Sequence, residues 1–420
     1  MRIGLINIGD ELLAGKILNT NARDLALWLA ALGHELAFAL TVPDDPGALD
    51  AALREALDAG AGALPRGGML LLSGGLGPTR DDLTREALAK YLGVALERDA
   101  KAASWLAEFL GRPVSEGDPQ ALVPAGVEAL RNPAGTACGL RFERRGCAVF
   151  AFPGVPREFK ALFDAYCRPS LEQRDAVLLR RRLVTFGLGE TRQRELLRDF
   201  VLPAPFRFSS LPAESEVTLS IEGFVDAARE AGHARVLEHA WNELLRRLPP
   251  ENVIDAGGLS LPEAVLSLAR ARGATVTVAE SCTGGMAGAL LTSAPGSSAI
   301  FREGYLTYSD AAKTRLLGVA ENLLREHGAV SEPVARAMAR GAREAANAEY
   351  AVAITGIAGP DGGTAEKPVG LVYIAVASAV SAECERFVFK GDRETVRRRS
   401  ARQALNQLRL LILKDLQQQK

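Results

Sequence analysis

The sequence predicts an α/β fold divided into more than one domain, and three observations carry that expectation. In the front part of the chain, short apolar runs (RIGLINIG, HELAFALTVP, GGMLLLSGG) alternate with amphipathic stretches of helical length, which implies βαβ units and a mostly parallel sheet. The same alternation resumes from Leu261 to the end, after an interval of different character. The chain has 420 residues, too many for one ordinary core, and 48% are hydrophobic, enough for each part to bury a core of its own.

Taken in order, RIGLINIG reads as the first strand. NTNARDLALWLAALG reads as a helix opening on Asn19 to Asn21, and HELAFALTVP as the second strand. A helix is expected from Pro46 to Ala59, then a third strand in GGMLLLSGG and a later one in CAVFAF. From about Leu171 the pattern becomes a small α+β unit: RRRLVTFGLGE, a helix at Arg192 to Phe200, the alternating RFSSLPAESEVTLSIEGF and a helix at Arg229 to Arg247. It holds no catalytic constellation, so its expected role is spacing or dimerisation. LPPENVIDAGGLS, rich in Pro and Gly, reads as a linker. The last helix is expected over Glu394 to Leu416, with the Gln-rich tail frayed. The domains are therefore placed at 1–170, 171–250 and 251–420.

Composition removes several classes of function. The formal net charge is −1, and the densest basic runs, Arg180 to Arg182 and Arg397 to Arg399, read as solvated faces, which argues against direct nucleic-acid binding. Five scattered cysteines without metal-ligand spacing suit a reducing cytoplasm better than a disulfide framework. The opening residues read as a strand, so no signal peptide is expected, and no apolar run is long enough to span a bilayer. A cytoplasmic protein with no membrane contact is expected.

Four loops of the front part follow strands, so a parallel sheet would gather them along one edge. They are IGDELLAG with Asp10 and Glu11, TVPDDPG with Asp44 and Asp45, SGGLGPTRDDLT with Ser73, Gly74, Gly75, Gly77, Asp81 and Asp82, and FPGVPREF with Gly154 and Glu158. The glycines would let backbone N–H groups approach a phosphate at a helix start. The nearby carboxylates would repel that phosphate unless a divalent Mg²⁺-type cation intervened. Alternatively, Asp81 and Asp82 only stabilise a helix N-terminus. GGLGPTRDDLT resembles the loop of the molybdopterin-binding, MogA-like domains, and with GDELL, NTN (which contains Asn21) and PGVPREF it resembles the CinA family. That resemblance implies a MogA-like three-layer front domain and metal-dependent ADP-ribose pyrophosphatase activity, giving AMP and ribose 5-phosphate. Asp82 matches an Asp of the MogA-like pattern, and Asp45 lies where a second one falls. Those two are therefore the expected metal-binding positions. Phe159, where the family more often has Met, reads as a packing change.

In the rear part, TVTVAESCTGGMAGALLTS reads as strand, sharp turn and helix, with Ser281 at the junction and Thr283, Gly284 and Gly285 behind it. A hydroxyl there could attack a carbonyl while nearby N–H groups hold the oxyanion. Serine is equally a favoured helix cap, and Cys282 is a rival nucleophile. A base is needed, and Lys313, on a helix capped by Ser309, could serve if buried. Tyr308 could relay or hold the proton. Thr355 and the glycine loop after it suit a phosphate or ribose, and Arg393 could clamp a phosphate. Both have bland alternatives in local backbone bonding or pairing with Asp392 or Glu394.

AESCTGG, PGSS, Y-x-x-YS-x-x-x-K, TGIAGPDGG, PVGLVYIAV and GDR resemble the CinA C-terminal domain. This implies a nicotinamide-nucleotide amidase that converts nicotinamide mononucleotide (NMN) to nicotinate mononucleotide and ammonia without a metal or other cofactor. On that resemblance Ser281 is the nucleophile, Lys313 its base and Tyr308 their neighbour, with Ser298, Thr355 and Arg393 at supporting and substrate-binding positions; Thr283, Gly284 and Gly285 are expected to hold the substrate beside them. A homodimer acting on small nucleotides is expected. Two rivals stand beside it: a front half that binds a pterin phosphate without cleaving it, and a competence-related interaction protein.

Overall fold

The computed structural model describes residues 1–58, 63–172 and 176–418. Two compact units emerge, Met1–Leu179 with Gly223–Ala234, and Arg180–Glu222 with Arg235–Lys420.

The first unit is built on a six-stranded sheet in the order Leu36–Val42, Ile3–Ile8, Met69–Ser73, Cys147–Phe152, Gly139–Arg144, Glu128–Leu130. The first four strands are parallel and the last two antiparallel, so the sheet is mixed. Every residue of Ile3–Ile8 and Met69–Ser73 is buried, as expected of central strands covered on both faces. Alternation divides them between two cores: Ile6, Ile8, Leu70 and Leu72 on one face, and Ile3, Leu5, Met69 and Leu71 on the other. Phe159 is fully buried in the second core and packs edge-on against Phe152, in keeping with a packing role.

Local chemistry sets the helix starts. Asn19 accepts a hydrogen bond from the Ala22 N–H and caps Thr20–Ala31, and Asp45 does the same for Ala48, with Pro46 in the first turn of Pro46–Leu53. That helix widens to π geometry over Arg54–Asp58; its expected end at Ala59 lies outside the described residues.

In the interval, Ala176–Phe186, Arg207–Pro212, Glu216–Asp226 and Val253–Asp255 form a four-stranded antiparallel-type sheet, with helices Glu190–Leu196 and Glu230–Arg247. The stretch expected to be a linker thus contains an edge strand. Val253 pairs with Thr185, and Ile254 is buried, so two β-branched residues outweigh the flanking Pro and Gly.

The rear sheet runs Tyr305–Leu306, Val276–Glu280, Tyr350–Gly356, Leu371–Ala377, Ala382–Val388. The first three are parallel and the last two antiparallel. One face carries Val276, Val278, Val352, Ile354 and Ile374 under the final helix Arg393–Gln417. The other carries Ala279, Ala351, Ala353, Ala375 and Ala377, small enough for helix Glu332–Ala345 to close upon them through Ala335, Met338 and Ala339. Among the described residues no helix is long and apolar enough to cross a membrane.

Candidate functional site

The front unit holds a cleft of about 550 Å³ at the carboxyl ends of its parallel strands. All four loops reach it: Glu11, Asn21, Asp44, Ser73, Gly74, Gly75, Gly77, Asp81, Asp82, Gly154 and Glu158 line it. Asn21 binds the loops together, donating to Ser73 Oγ at 2.9 Å and to the Gly154 carbonyl at 2.8 Å.

The glycine loop is braced from both sides. Asp82 accepts from the Gly77 and Thr79 N–H groups at 2.7 and 2.8 Å and from the Thr79 hydroxyl. Buried Arg85 donates to the carbonyls of Leu76 at 2.6 Å and Gly77 at 3.3 Å. The Gly74 N–H is spent on the Phe152 carbonyl. Of the expected phosphate donors, then, only the Gly75 N–H escapes the described hydrogen bonds, and the Leu76 N–H joins it.

Two of the expected residues lie outside the cleft lining, and a third, within it, is also engaged by the loop. Asp45 is absent from the cleft lining because its carboxylate caps a helix. Asp10 is also outside the lining, its N–H donating to Asp44 Oδ2 at 2.8 Å. Asp82 faces the cleft, but both its oxygens hold the loop. Asp44, not assigned from the sequence, takes the place expected of Asp45. Its carboxyl is raised above the ordinary value by burial and by the like charges of Glu11, Asp10 and Asp81, against a hydrogen bond from Asp10 that lowers it. Glu158 is likewise raised by burial, opposed by a 2.7 Å bond from Asn132. Among the described residues no group of three His, Cys, Asp or Glu side chains stands at metal-binding spacing. The donor set therefore fits a Mg²⁺-type ion only in the mode that uses one or two carboxylates, here Glu11, Asp44 or Asp81, with a substrate's phosphates completing the shell.

The rear site lies where Val276–Glu280 turns into the helix Met286–Thr292. Ser281 is buried, and Lys313 Nζ stands 3.4 Å from its Oγ. Lys313 is 1% exposed and also donates to the carbonyls of Thr307 at 3.0 Å and Tyr308 at 3.4 Å. Burial lowers its ammonium below the ordinary value, with Asp310, 3.7 Å away, opposing the shift. Ser281 does not cap the helix; the buried carboxylate of Glu280 does, accepting from the N–H groups of Gly285, Ala287 and Gly288 at 3.1, 3.1 and 2.8 Å. The Cys282 thiol is pushed up to about 12, chiefly by burial, which disarms it as a nucleophile.

The other expected residues divide. Arg393 pairs with neither Asp392 nor Glu394 but donates to the Gly359 carbonyl at 2.7 Å and to Tyr308 Oη at 3.1 Å. Tyr308 is 66% exposed, and its hydroxyl binds neither Ser281 nor Lys313, which corrects the expected relay. Thr355 is buried and donates to the Ala329 carbonyl at 2.8 Å, the bland alternative. Ser298 is exposed in the turn Ser297–Ala299 and bonds to no member of the pair. The expected oxyanion donors shrink to one: Gly284 N–H is spent on Ser281 O at 3.2 Å and Gly285 N–H on Glu280, leaving Thr283 N–H outside the described hydrogen bonds. Arg397, taken from the sequence for a solvated face, instead donates to Thr283 O at 2.9 Å. Glu280 and Arg397 were missed because their partners are backbone atoms that only the folded turn presents.

The architecture is thus a mixed α/β unit with a glycine-loop cleft ahead of an α/β unit with a buried serine–lysine pair. Residues 4–173 match the family described as "Probable molybdopterin binding domain", and residues 259–412 match the CinA C-terminal domain. Over 424 residues the chain is 43% identical to a CinA-like protein of Geobacter sp., covering 98% of each chain. It is 39% identical to one of Anaeromyxobacter dehalogenans, covering 98% of this chain and all of that one. The chain belongs to the CinA family. A crystal structure of a competence-damaged protein (CinA) superfamily protein from Klebsiella pneumoniae is 37% identical over 37% of this chain and 96% of its own, with a TM-score of 0.36.

Proposed function

We propose that the chain is a two-site enzyme of pyridine-nucleotide recycling, an NMN amidase behind and an ADP-ribose pyrophosphatase in front. The observation that carries the amidase is the buried Lys313 amine 3.4 Å from Ser281 Oγ. A desolvated amine gives up its proton more readily, so Lys313 can take the Ser281 proton as Oγ attacks the carboxamide carbon. Ammonia leaves, and water resolves the acyl-enzyme through the same base. Arg393, tied to Tyr308 and the Gly359 loop, offers its guanidinium to the nucleotide phosphate.

In the front cleft, Gly75 and Leu76 N–H groups serve a phosphate, and Glu11, Asp44 and Asp81 would hold the cation. When bound, that ion would offset phosphate charge. One observation favours a second reading of this half, as a binder that does not cleave: no three-ligand cluster occurs among the described residues. Incubating the full chain separately with NMN and ADP-ribose, with and without EDTA, tests both halves. Ammonia from NMN regardless of EDTA, and AMP from ADP-ribose only without it, are the expected results. No ammonia refutes the amidase, and metal-replete chain that retains ADP-ribose uncut leaves the front half a binder.

A further inference from the structure

We infer that Glu280 is a positioning residue of the amidase site, fixing the turn that presents Ser281 and leaving the Cys282 and Thr283 N–H groups for the oxyanion; this rests on the proposed amidase function. Glu280 is the last residue of the strand Val276–Glu280 and is 1% exposed. Burying a lone carboxylate is costly unless its oxygens are hydrogen-bonded and its charge compensated. No Lys or Arg pairs with Glu280 among the described residues. Compensation comes from the start of the helix Met286–Thr292: Oε2 accepts from Gly285 and Ala287 at 3.1 Å each, and Oε1 from Gly288 at 2.8 Å. Charge-assisted bonds from helix N–H groups are among the stronger ones a protein makes.

The consequence is geometric. Residues 281–284 are suspended between the strand that carries Glu280 and the helix its carboxylate holds. Gly284 and Gly285 both adopt positive φ, 61° and 96°, which lets the chain double back within this span. The arrangement also decides which donors remain. A helix start with free N–H groups would offer them to any developing negative charge, but Glu280 occupies those of Gly285, Ala287 and Gly288. Gly284 N–H turns inward to Ser281 O. The Cys282 and Thr283 N–H groups are left outside the described hydrogen bonds, and Arg397 holds the Thr283 carbonyl from the other side at 2.9 Å. The Glu280 carboxylate bonds to neither Ser281 Oγ nor Lys313 Nζ but to three N–H groups of the turn and helix start, so it acts through the turn.

The test uses Glu280→Ala and Glu280→Gln in the full chain. Ammonia release gives kcat and KM for NMN, a serine-reactive fluorophosphonate reports labelling of Ser281, and thermal unfolding reports stability. Glu280→Ala is expected to lower kcat and the labelling rate together by on the order of 10²-fold, the weight of a lost oxyanion donor, with KM little changed. Glu280→Gln keeps one acceptor oxygen and should recover most of that loss, remaining about tenfold down where a charged acceptor has become neutral. A folded Ala variant that turns over and labels like the parent overturns the inference, and so does a rise in KM at unchanged kcat. If Ala does not fold, the Gln variant decides: parental kcat and labelling in it also overturn the inference. A parent chain that labels at Ser281 but releases no ammonia defeats the amidase reading instead, and the labelling rates of the variants still judge Glu280.

Discussion

Replacing Lys313 by Met separates a catalytic base from a structural lysine. The side chain is 1% exposed and its Nζ reaches three oxygens: Thr307 O at 3.0 Å, Tyr308 O at 3.4 Å and Ser281 Oγ at 3.4 Å. Methionine fills similar volume but strands the buried carbonyl acceptors, at about 1–3 kcal/mol. Against this, it removes an ammonium that burial already disfavours. The two effects oppose, so net stability should change by no more than about 2 kcal/mol, a few degrees in Tm. Amidase activity should fall by on the order of 10²–10⁴-fold, the usual weight of a general base. The pH dependence follows from the same burial. The lowered lysine pKa means the folded state binds its proton less tightly than the unfolded chain. Lys313 therefore costs the parent stability below its folded pKa, and that cost is relieved as pH rises from there towards the unfolded value. The Lys313→Met chain lacks this dependence, and in the parent kcat/KM should climb with pH through the lowered pKa to a plateau. Ammonia release and thermal melts across pH 6 to 10 check both. A stable Lys313→Met chain with parental turnover would refute the reasoning.

Further expectations concern the neighbours of each site. Ser281→Ala, Lys313→Ala and their double variant should lose about the same amidase activity, because a nucleophile and its base act as one unit; additive losses by ammonia assay argue otherwise. Cys282→Ala should keep nearly parental turnover, since its thiol is pushed up to about 12. Asp44→Asn should weaken Mg²⁺ binding and ADP-ribose cleavage. Asp45→Ala should instead cost about 1 kcal/mol of stability as a lost cap with cleavage kept, and the reverse pattern in calorimetry and AMP release would restore Asp45 to the site. Because Asp44 is raised above its ordinary value, chiefly by burial, Mg²⁺ affinity should begin to fall at a higher pH than an exposed Asp would dictate, as titrations from pH 7 down to 4 would show.

What the sequence made legible follows from how local each feature is. The caps at Asn19 and Ser309 and the central strands were readable because a cap and a short continuous apolar run need only neighbouring residues. The convergence of the four front loops followed from parallel strand order, and the pairing of Ser281 with Lys313 from motif resemblance. The exchange of Asp44 for Asp45 was not legible: adjacent residues on one loop point apart, and the Pro46 helix start claimed the second. Glu280 was hidden because its position reads as a strand end, and its three donors meet it only after the chain doubles back. Val253–Asp255 was obscured by the Pro and Gly around it, since its partner strand lies far back in the chain at Thr185.

The double bracing of the glycine loop has a consequence for recognition. Asp82 ties down two of its N–H groups from one side and Arg85 two of its carbonyls from the other. The loop keeps its shape through the protein's own bonds rather than borrowing it from whatever lies in the cleft. Preorganisation of this kind spares a ligand the entropy of ordering its receptor. It also leaves little room for change: Gly75 has a φ of +67°, and a methyl group on it would collide with the Thr84 hydroxyl, which anchors the Gly74 carbonyl at 2.9 Å. Variation in what this cleft accepts is therefore open to its flanking walls, at Ile17, Leu18 and Val155, and closed to its floor.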